Sequence, residues 1–471
     1  MPQSNFGCGA VSVIMKYDCD QGISEVEEEH VLIRGVRPLV IVWLGQMVSL
    51  IGSGITGFAL GIWVYQRTAS ATQFALIAFC SVLPSVLLSL PAGALVDRWN
   101  HRWVMIFSQI GGVLITLALA LLLGAGWLDM WHIYVFAAIS SILTAFQWPA
   151  YIAATTLMVP KQHLGRAGGM LQMGQAIAQL AAPGLGSVLL EIIQLEGVIL
   201  LELAAYSLAL ATLLSVRFPK TETNPPRKPE RNSLLHEVVY GWNYLTSQPG
   251  LLRLLIFFAT NNFLSGIVGV LFGPLVLSFA SSIALGILLS MAGIGTLICS
   301  LFMSIWGGPQ RRMDAVFSAM FLSGLCILVT GLSSSVPILG ITVLLLFFGT
   351  SVVNICTQVI FQKKVAPYVQ GRIFAIRGAI TSASLLFAYL VAGPLADFVF
   401  KPLMVPGGLL AGSLGQFIGV GPGRGIGLMF MIVGTLTITM TVIAYHHPRL
   451  RLVEDELPDA IPNDMTVTVD C

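Results

Sequence analysis

Apolar residues in this chain gather into long windows separated by short polar breaks. Windows long enough to cross a bilayer as helices, at about 20 residues each, fall at 39–65, 71–95, 103–126, 131–156, 167–191, 197–216, 250–278, 283–306, 314–333, 336–360, 373–399 and 425–445. The pattern predicts an all-α polytopic membrane protein with twelve transmembrane helices. Several windows exceed the minimum, so tilted or bent helices are expected, with Pro84, Pro183, Pro274 and Pro394 supplying kinks. A polar break at Arg217–Arg231, carrying Pro219, Pro225, Pro226 and Pro229, separates six windows from six. The expected organisation is a tail over 1–38, a six-helix bundle over 39–216, a linker over 217–249, a second bundle over 250–446 and a tail over 447–471. Within the linker, Leu235, Val238, Val239, Trp242 and Leu245 recur at helical spacing. Residues 233–247 therefore read either as an amphipathic helix on the membrane surface or as an extension of span 7.

Composition removes the soluble alternatives. The 471 residues are 56% hydrophobic and 10% charged, with a mean hydropathy of +0.86, far from a soluble globular balance. The net charge of +2 says little about partners, whereas the distribution of bases says much. With both termini cytoplasmic, all but three of the 24 Lys and Arg, namely Arg67, Lys401 and Arg424, fall on the inner side. The first thirty residues form an acidic segment with Glu25, Glu27, Glu28 and Glu29 and no signal-peptide pattern, and Met15 is an alternative start to Met1. The seven cysteines have no metal or redox spacing. Paired carboxylates, ligand clusters and a phosphate-cradling loop are absent, so no enzyme activity, cofactor, metal or nucleic-acid partner is expected.

The break between spans 2 and 3 carries the most specific signal. In Gly93-Ala-Leu-Val-Asp97-Arg98-Trp-Asn-His101-Arg102 a carboxylate stands among bases in a tight turn, where a plain topology anchor would need only the arginines. The stretch resembles the signature of the major facilitator superfamily, G-x-L-x-D-[RK]-x-G-[RK]-[RK], with Asn100 in place of the usual Gly and His101 in place of a base. The halves also echo each other: Arg102, Pro160 and Arg166 have counterparts at nearly constant offset in Arg312, Pro367 and Arg372. That repeat argues for two pseudo-symmetric six-helix bundles, with a substrate site between them. Trp306-Gly-Gly-Pro-Gln-Arg311-Arg312, the second copy of the hinge, lacks the Asp.

In span 5, Gly169, Ala178, Ala182, Pro183 and Gly186 follow the spacing of the superfamily's antiporter motif, with small residues at its glycine positions. The alternative is ordinary small-residue helix packing. Further similarities at Gly45-Gln46, Trp63-Val-Tyr65, Gly241-Trp-Asn, Gly371-Arg372 and Gly393-Pro394 point to the drug-efflux branch that contains macrolide efflux proteins and the enterobactin exporter. They extend over residues 38–447. The resemblance implies alternating access, with Gly93, Asp97, Arg98, Arg102, Gly371, Arg372 and Arg377 as the conformational hinge. Asp97 is expected at the amino end of span 11 in the inward-closed state. Arg377 either snorkels to the inner surface or meets Asp97.

Proton coupling needs an ionisable group that is alternately exposed. Glu202, inside span 6, is the candidate; its alternative is a place in the outer interfacial zone. Glu191 and Asp397 stand at outer span ends and read as solvated, and span 4 lacks the Arg that many drug antiporters carry. Polar and aromatic residues of spans 1, 4, 7 and 10 are cavity candidates or interhelical glue: Gln46, Ser49, Ser53, Thr56, Gln147, Trp148, Asn261, Asn262, Asn354 and Gln358. The glycine-rich stretch 406–425 reads as an outer loop or a re-entrant element. Together these features lead to the expectation of a monomeric exporter of a bulky amphipathic compound, such as a macrolide-like drug, a siderophore or a peptide natural product. It would sit in the cell membrane in contact with lipid and exchange its substrate for protons. A nutrient symporter of the same fold and a non-transporting membrane scaffold are the alternatives.

Overall fold

The computed structural model describes residues 9–96, 99–159, 164–216, 242–246, 248–306, 308–309, 311–365 and 367–447. Its long elements are helices: α1 (Gly9–Thr68), α2 (Ala71–Val96), α3 (His101–Gly124) and α4 (Met130–Met158). One helical run, Leu164–Ser215, breaks at Gln194 (φ 57, ψ −176) into α5 (164–193) and α6 (195–215). After the linker come α7 (Pro249–Leu277), α8 (Ser282–Trp306), α9 (Arg312–Leu332), α10 (Val336–Lys364), α11 (Pro367–Pro394) and α12 (Arg424–His446).

Among the described residues eleven helical stretches are long and apolar enough to cross a membrane, and one of them is the 51-residue run Gly165–Ser215. Its packing on α1 shows that this run crosses twice. Trp43 Nε1 donates to the Met170 carbonyl at 2.7 Å, and further along both helices Gly186 packs on Ile55 and Phe58. The second arm runs the other way, since Gly45 meets Thr212 while Gly52 meets Ala205. The chain therefore folds back at Gln194, and the twelve expected spans are present. The segment read as a tail is helical from Gly9 onward, where α1 starts, and its glutamates are good helix formers.

One end of the molecule, where α2, α4 and α6 end and α3, α5 and α7 begin, is called the linker face; the opposite end is the far face. Four large apolar cores follow this division. On the linker face each bundle has its own, one built around Val42, Met105, Tyr151 and Leu213 and the other around Leu254, Phe317, Phe361 and Ile373. On the far face one core belongs to the first bundle. The other joins Ile62, Ala71 and Ala75 of the first bundle to Leu271, Leu288, Ala392 and Phe430 of the second. The bundles are thus packed together at the far face and have separate cores at the linker face. Leu245, in the helical residues 242–246, is buried in the second bundle's linker-face core; the rest of the expected amphipathic helix lies outside the described residues.

The glycine-rich stretch is a structured far-face cap. Met404 is buried against Leu428, the Gly421 N–H donates to the Met404 carbonyl at 3.2 Å, and Gly407, Gly419, Gly421 and Gly423 take positive φ angles, which a residue bearing Cβ resists. In the second bundle α9 and α12 cross backbone to backbone. A Cβ on Gly427 would lie 2.7 Å from the Gly331 carbonyl oxygen, and one on Gly434 would lie 2.8 Å from that of Gly324. Replacing Gly434 by Leu should cost about 1–3 kcal/mol through overpacking, and a lowered thermal unfolding midpoint in detergent would register it.

Candidate functional site

The far-face closure is built from a helix end that receives a carboxylate from the other bundle. After Pro394 the helix α11 passes into a π-helical segment, Leu395–Phe400, which carries Asp397. Its Oδ2 accepts from Ser70 Oγ at 2.7 Å, Thr72 N at 2.8 Å and Thr72 Oγ1 at 2.7 Å, while Oδ1 accepts from Ala71 N at 3.2 Å. A helix amino terminus has N–H groups without intrahelical partners and a partial positive charge, so an anion is favoured there. The expectation that Asp397 is solvated is overturned: it is the cap of α2 and only partly exposed. Close approach of backbones supports the bond, because a Cβ on Gly393 would lie 2.5 Å from Thr72 Cα. Lys401 Nζ adds a bond to the Ala69 carbonyl at 3.4 Å. Ala69 itself holds a left-handed φ of 47° in the two-residue turn between α1 and α2. Beside this junction lies a pocket of about 390 Å³ walled by Tyr65, Asp397, Lys401 and Pro422.

A second crossing, α5 on α8, completes the closure. Ser290 Oγ donates to the Leu180 carbonyl at 3.0 Å, Gly286 meets Ser187 and the Pro183 carbonyl, and Gly184 meets Ser290. The span-5 motif therefore serves packing in two directions. Ala182 and Gly186 face α1 at Gly54 and Ile55, and Pro183 faces α8; Ala178 is buried, whereas Gly169, nearer the linker face, has open space where a Cβ would stand.

At the linker face the hinge candidates divide. Asp97 and Arg98 lie outside the described residues, as does the Gly93 environment, although Gly93 falls within α2. Arg102 Nη2 donates to the carbonyls of Leu213 and Leu214 at 3.4 and 3.1 Å, tying the start of α3 to the end of α6 inside one bundle. Gly371 is exposed with nothing near it, and Arg372 is half-buried. Arg377 Nη1 donates to Gln358 Oε1 at 3.1 Å, and its guanidinium lies 5.0 Å from the Phe361 ring centroid, so it joins α11 to α10.

The cavity candidates also divide. Gln46 is buried and its Oε1 accepts from Gln109 at 3.2 Å and from Gln147 at 2.7 Å, linking α1, α3 and α4. That is interhelical glue, and Gln109, unremarked in the sequence, belongs to it. Ser49 is buried, Ser53 Oγ donates to the carbonyls of Ser49 and Leu50, and Trp148 stacks edge-on with Tyr151. Asn262 Nδ2 donates to the Phe258 carbonyl at 2.8 Å, and Asn261 is half-buried. Asn354 and Gln358 are exposed. Glu202 is 1% exposed, inside the first bundle, against Gly52 of α1 and beside Thr56 and Thr116. It shares a pocket of about 240 Å³ with Ser53, Ser81, Ser140, Ser141 and Tyr206. Among the described residues no cluster of three metal-ligating side chains occurs.

The profile of the Major Facilitator Superfamily matches residues 42–389. The chain belongs to that superfamily. As a facilitator it is similar to macrolide efflux protein A of Streptococcus pyogenes, 26% identical over 365 residues that cover 76% of this chain and 88% of the relative. It is also similar to the multidrug efflux pump Tap of Mycolicibacterium fortuitum, 24% identical over 370 residues, 76% and 89% of the two chains. Among solved structures, a bacterial homolog of the human lysosomal transporter Spinster, inward-facing and unoccupied, superposes with a TM-score of 0.66 at 14% identity, covering 89% of this chain and 98% of that one. The nucleoside transporter NupG gives 0.62 at 13% identity, with 86% and 98% covered. Both share the facilitator fold, and the facilitator assignment makes the chain a multi-pass membrane transporter.

Asp397→Ala removes an acceptor of four bonds across the bundles. Charge-assisted hydrogen bonds contribute about 1.5–3 kcal/mol each, so loss of even one shifts the closed-to-open ratio about tenfold. Spin labels at Trp127 and Leu332, both exposed near the far face, should show a longer distance population in the variant than in the parent chain.

Proposed function

We propose that this facilitator exports a bulky amphipathic compound by alternating access. The observation that carries the reading is the division of the cores: a far face closed by α2–α11 and α5–α8, and a linker face where each bundle has its own core. If the linker face is cytoplasmic, as the distribution of Lys and Arg suggests, this is an inward-open form. A compound would enter from the cytoplasm or the inner leaflet, and rocking the bundles about the substrate would part Asp397 from α2 and release it outward. Asp97 at the linker-face turn is the natural partner for the amino end of α11 in the alternate form, near Gly371, Arg372 and Arg377.

The relatives named as macrolide and multidrug efflux proteins support a large, mostly apolar substrate, and macrolide-like drugs come first among the classes to try. Siderophores and peptide natural products share that chemistry. The chain acts as a monomer in the cell membrane, with both termini cytoplasmic, and performs no chemistry on its substrate. Export against a gradient is driven by antiport, with Glu202 as the carrier of the counter-ion. The resemblance implies a proton for that ion. A carboxylate sequestered from solvent can be neutralised by a cation on one side of the cycle and released on the other.

Uptake of a panel of labelled amphipathic antibiotics into inverted membrane vesicles tests the reading. Energised vesicles should accumulate at least one macrolide-class compound, an ionophore cocktail should abolish the accumulation, and Glu202→Gln should reduce it by tenfold or more. Accumulation only in right-side-out vesicles would instead make the protein an uptake symporter, and no gradient-dependent movement of any compound would remove the exporter reading.

A further inference from the structure

The first bundle encloses polar atoms that its helices leave unserved. Glu202 of α6 is 1% exposed, and Thr56 of α1 and Thr116 of α3 are 0% exposed. Both hydroxyls approach the carboxyl, yet Glu202 Oε2, Thr56 Oγ1 and Thr116 Oγ1 are each buried without a hydrogen-bond partner. Several helical threonines elsewhere in the chain satisfy themselves by donating to the carbonyl four residues back, as Thr68, Thr144, Thr155, Thr330 and Thr437 do, although buried Thr357 of α10 is also without a partner. Thr56 and Thr116 forgo that bond. No basic side chain stands beside Glu202 among the described residues.

A carboxylate in an apolar interior with two hydroxyls beside it but no counter-charge is strongly disfavoured as an anion, so a positively charged partner suits it. Its size follows from the burial. The ammonium group of a bulky substrate needs access that residues 0–1% exposed do not give, whereas an atomic ion fits. Oxygens from three helices converging on one point, one of them anionic and none of them softer than a hydroxyl, suit a hard cation of single charge. The remaining ligands are available as water from the adjoining pocket of about 240 Å³, on whose walls stand Ser53, Ser140, Ser141 and Tyr206. Ser140 Oγ is likewise buried without a partner.

We propose that Glu202, Thr56 and Thr116 form a Na⁺ site inside the first bundle. Its role as the coupling site rests on the exporter reading above; its existence as a binding site does not. Binding would join α1, α3 and α6 through one neutral ion pair and would make the packing of the bundle sensitive to ion occupancy.

Equilibrium binding of radiolabelled Na⁺ to the purified full-length chain, by scintillation proximity, tests the site. Saturable binding is expected, lost in Glu202→Gln. Affinity should fall about tenfold in Thr56→Val, in line with the loss of one bond to a charged group, and should return in Thr56→Ser, which keeps the hydroxyl. Na⁺ should also raise the unfolding midpoint of the parent chain and leave that of Glu202→Gln unmoved; this comparison, with the Ser variant, decides the matter if the Val variant does not fold. Absence of saturable Na⁺ binding in the parent chain overturns the proposal and leaves Glu202 a protonation site, and equal affinity in Thr56→Val and the parent removes the threonine from the site. Na⁺ binding with the expected variant pattern but without Na⁺-dependent drug movement keeps the site and removes the exporter coupling assigned to it.

Discussion

A helix that begins inside a membrane protein exposes amide groups that nothing in its own first turn can satisfy, and in lipid no water substitutes for the missing acceptors. Here α2 begins at Ala71, and the acceptor for Ala71 N, Thr72 N and two neighbouring hydroxyls is the carboxylate of Asp397 from the opposite bundle. The rest of the far-face architecture depends on that one arrangement. The π-helical segment after Pro394 places the carboxylate, the glycine at 393 lets the backbones approach, and the cap over residues 401–423 packs against the start of α12. Because the cap is supplied in trans, parting the bundles leaves α2 uncapped until water reaches it.

The contrast between the two faces carries the mechanistic argument. At the far face, apolar side chains of both bundles belong to one core, and the α5–α8 crossing is close enough for Gly286 to meet the Pro183 carbonyl. At the linker face, Arg102 binds carbonyls of its own bundle and Arg377 binds Gln358 of its own bundle, bonds that brace each bundle from within. Rigid bundles with a breakable contact at one end are what rocking requires. The buried Gln46–Gln109–Gln147 group adds to that rigidity by joining three helices in the first bundle.

Much of the fold was legible in the sequence, because the solvent imposes it: long apolar windows separated by polar breaks are what membrane-crossing helices require. The fold-back at Gln194 matched two of those windows although the helix is hardly interrupted. The sites were harder to read. Asp397 looked solvated because its donors come from residues more than three hundred positions earlier, and a carboxylate near a span end has the same appearance whether it caps a helix or meets water. Glu202 stands out in the sequence as a carboxylate within an apolar window, but its neighbours Thr56 and Thr116 lie on two other helices, and their unbonded hydroxyls leave no trace in the sequence. Gln46 and Gln147 could be named, while the choice between lining a cavity and bonding to one another depended on rotations of α1 and α4 that apolar periodicity does not define. Asp97, the most distinctive residue of the sequence, lies outside the described residues.

The central claim is that the two bundles meet at the far face and must part there for transport. In the closed form a Cβ on Gly184 would lie 3.9 Å from Ser290 Cβ, across the α5–α8 crossing, which is within the range that a disulfide spans. The decisive measurement is drug efflux by the Gly184→Cys, Ser290→Cys double variant before oxidation, after oxidation and after reduction. The account predicts that the cross-link forms readily, stops turnover while leaving the linker face accessible to thiol reagents, and releases full activity when reduced. Undiminished efflux by fully cross-linked protein would show that this crossing stays closed throughout the cycle and would contradict the account.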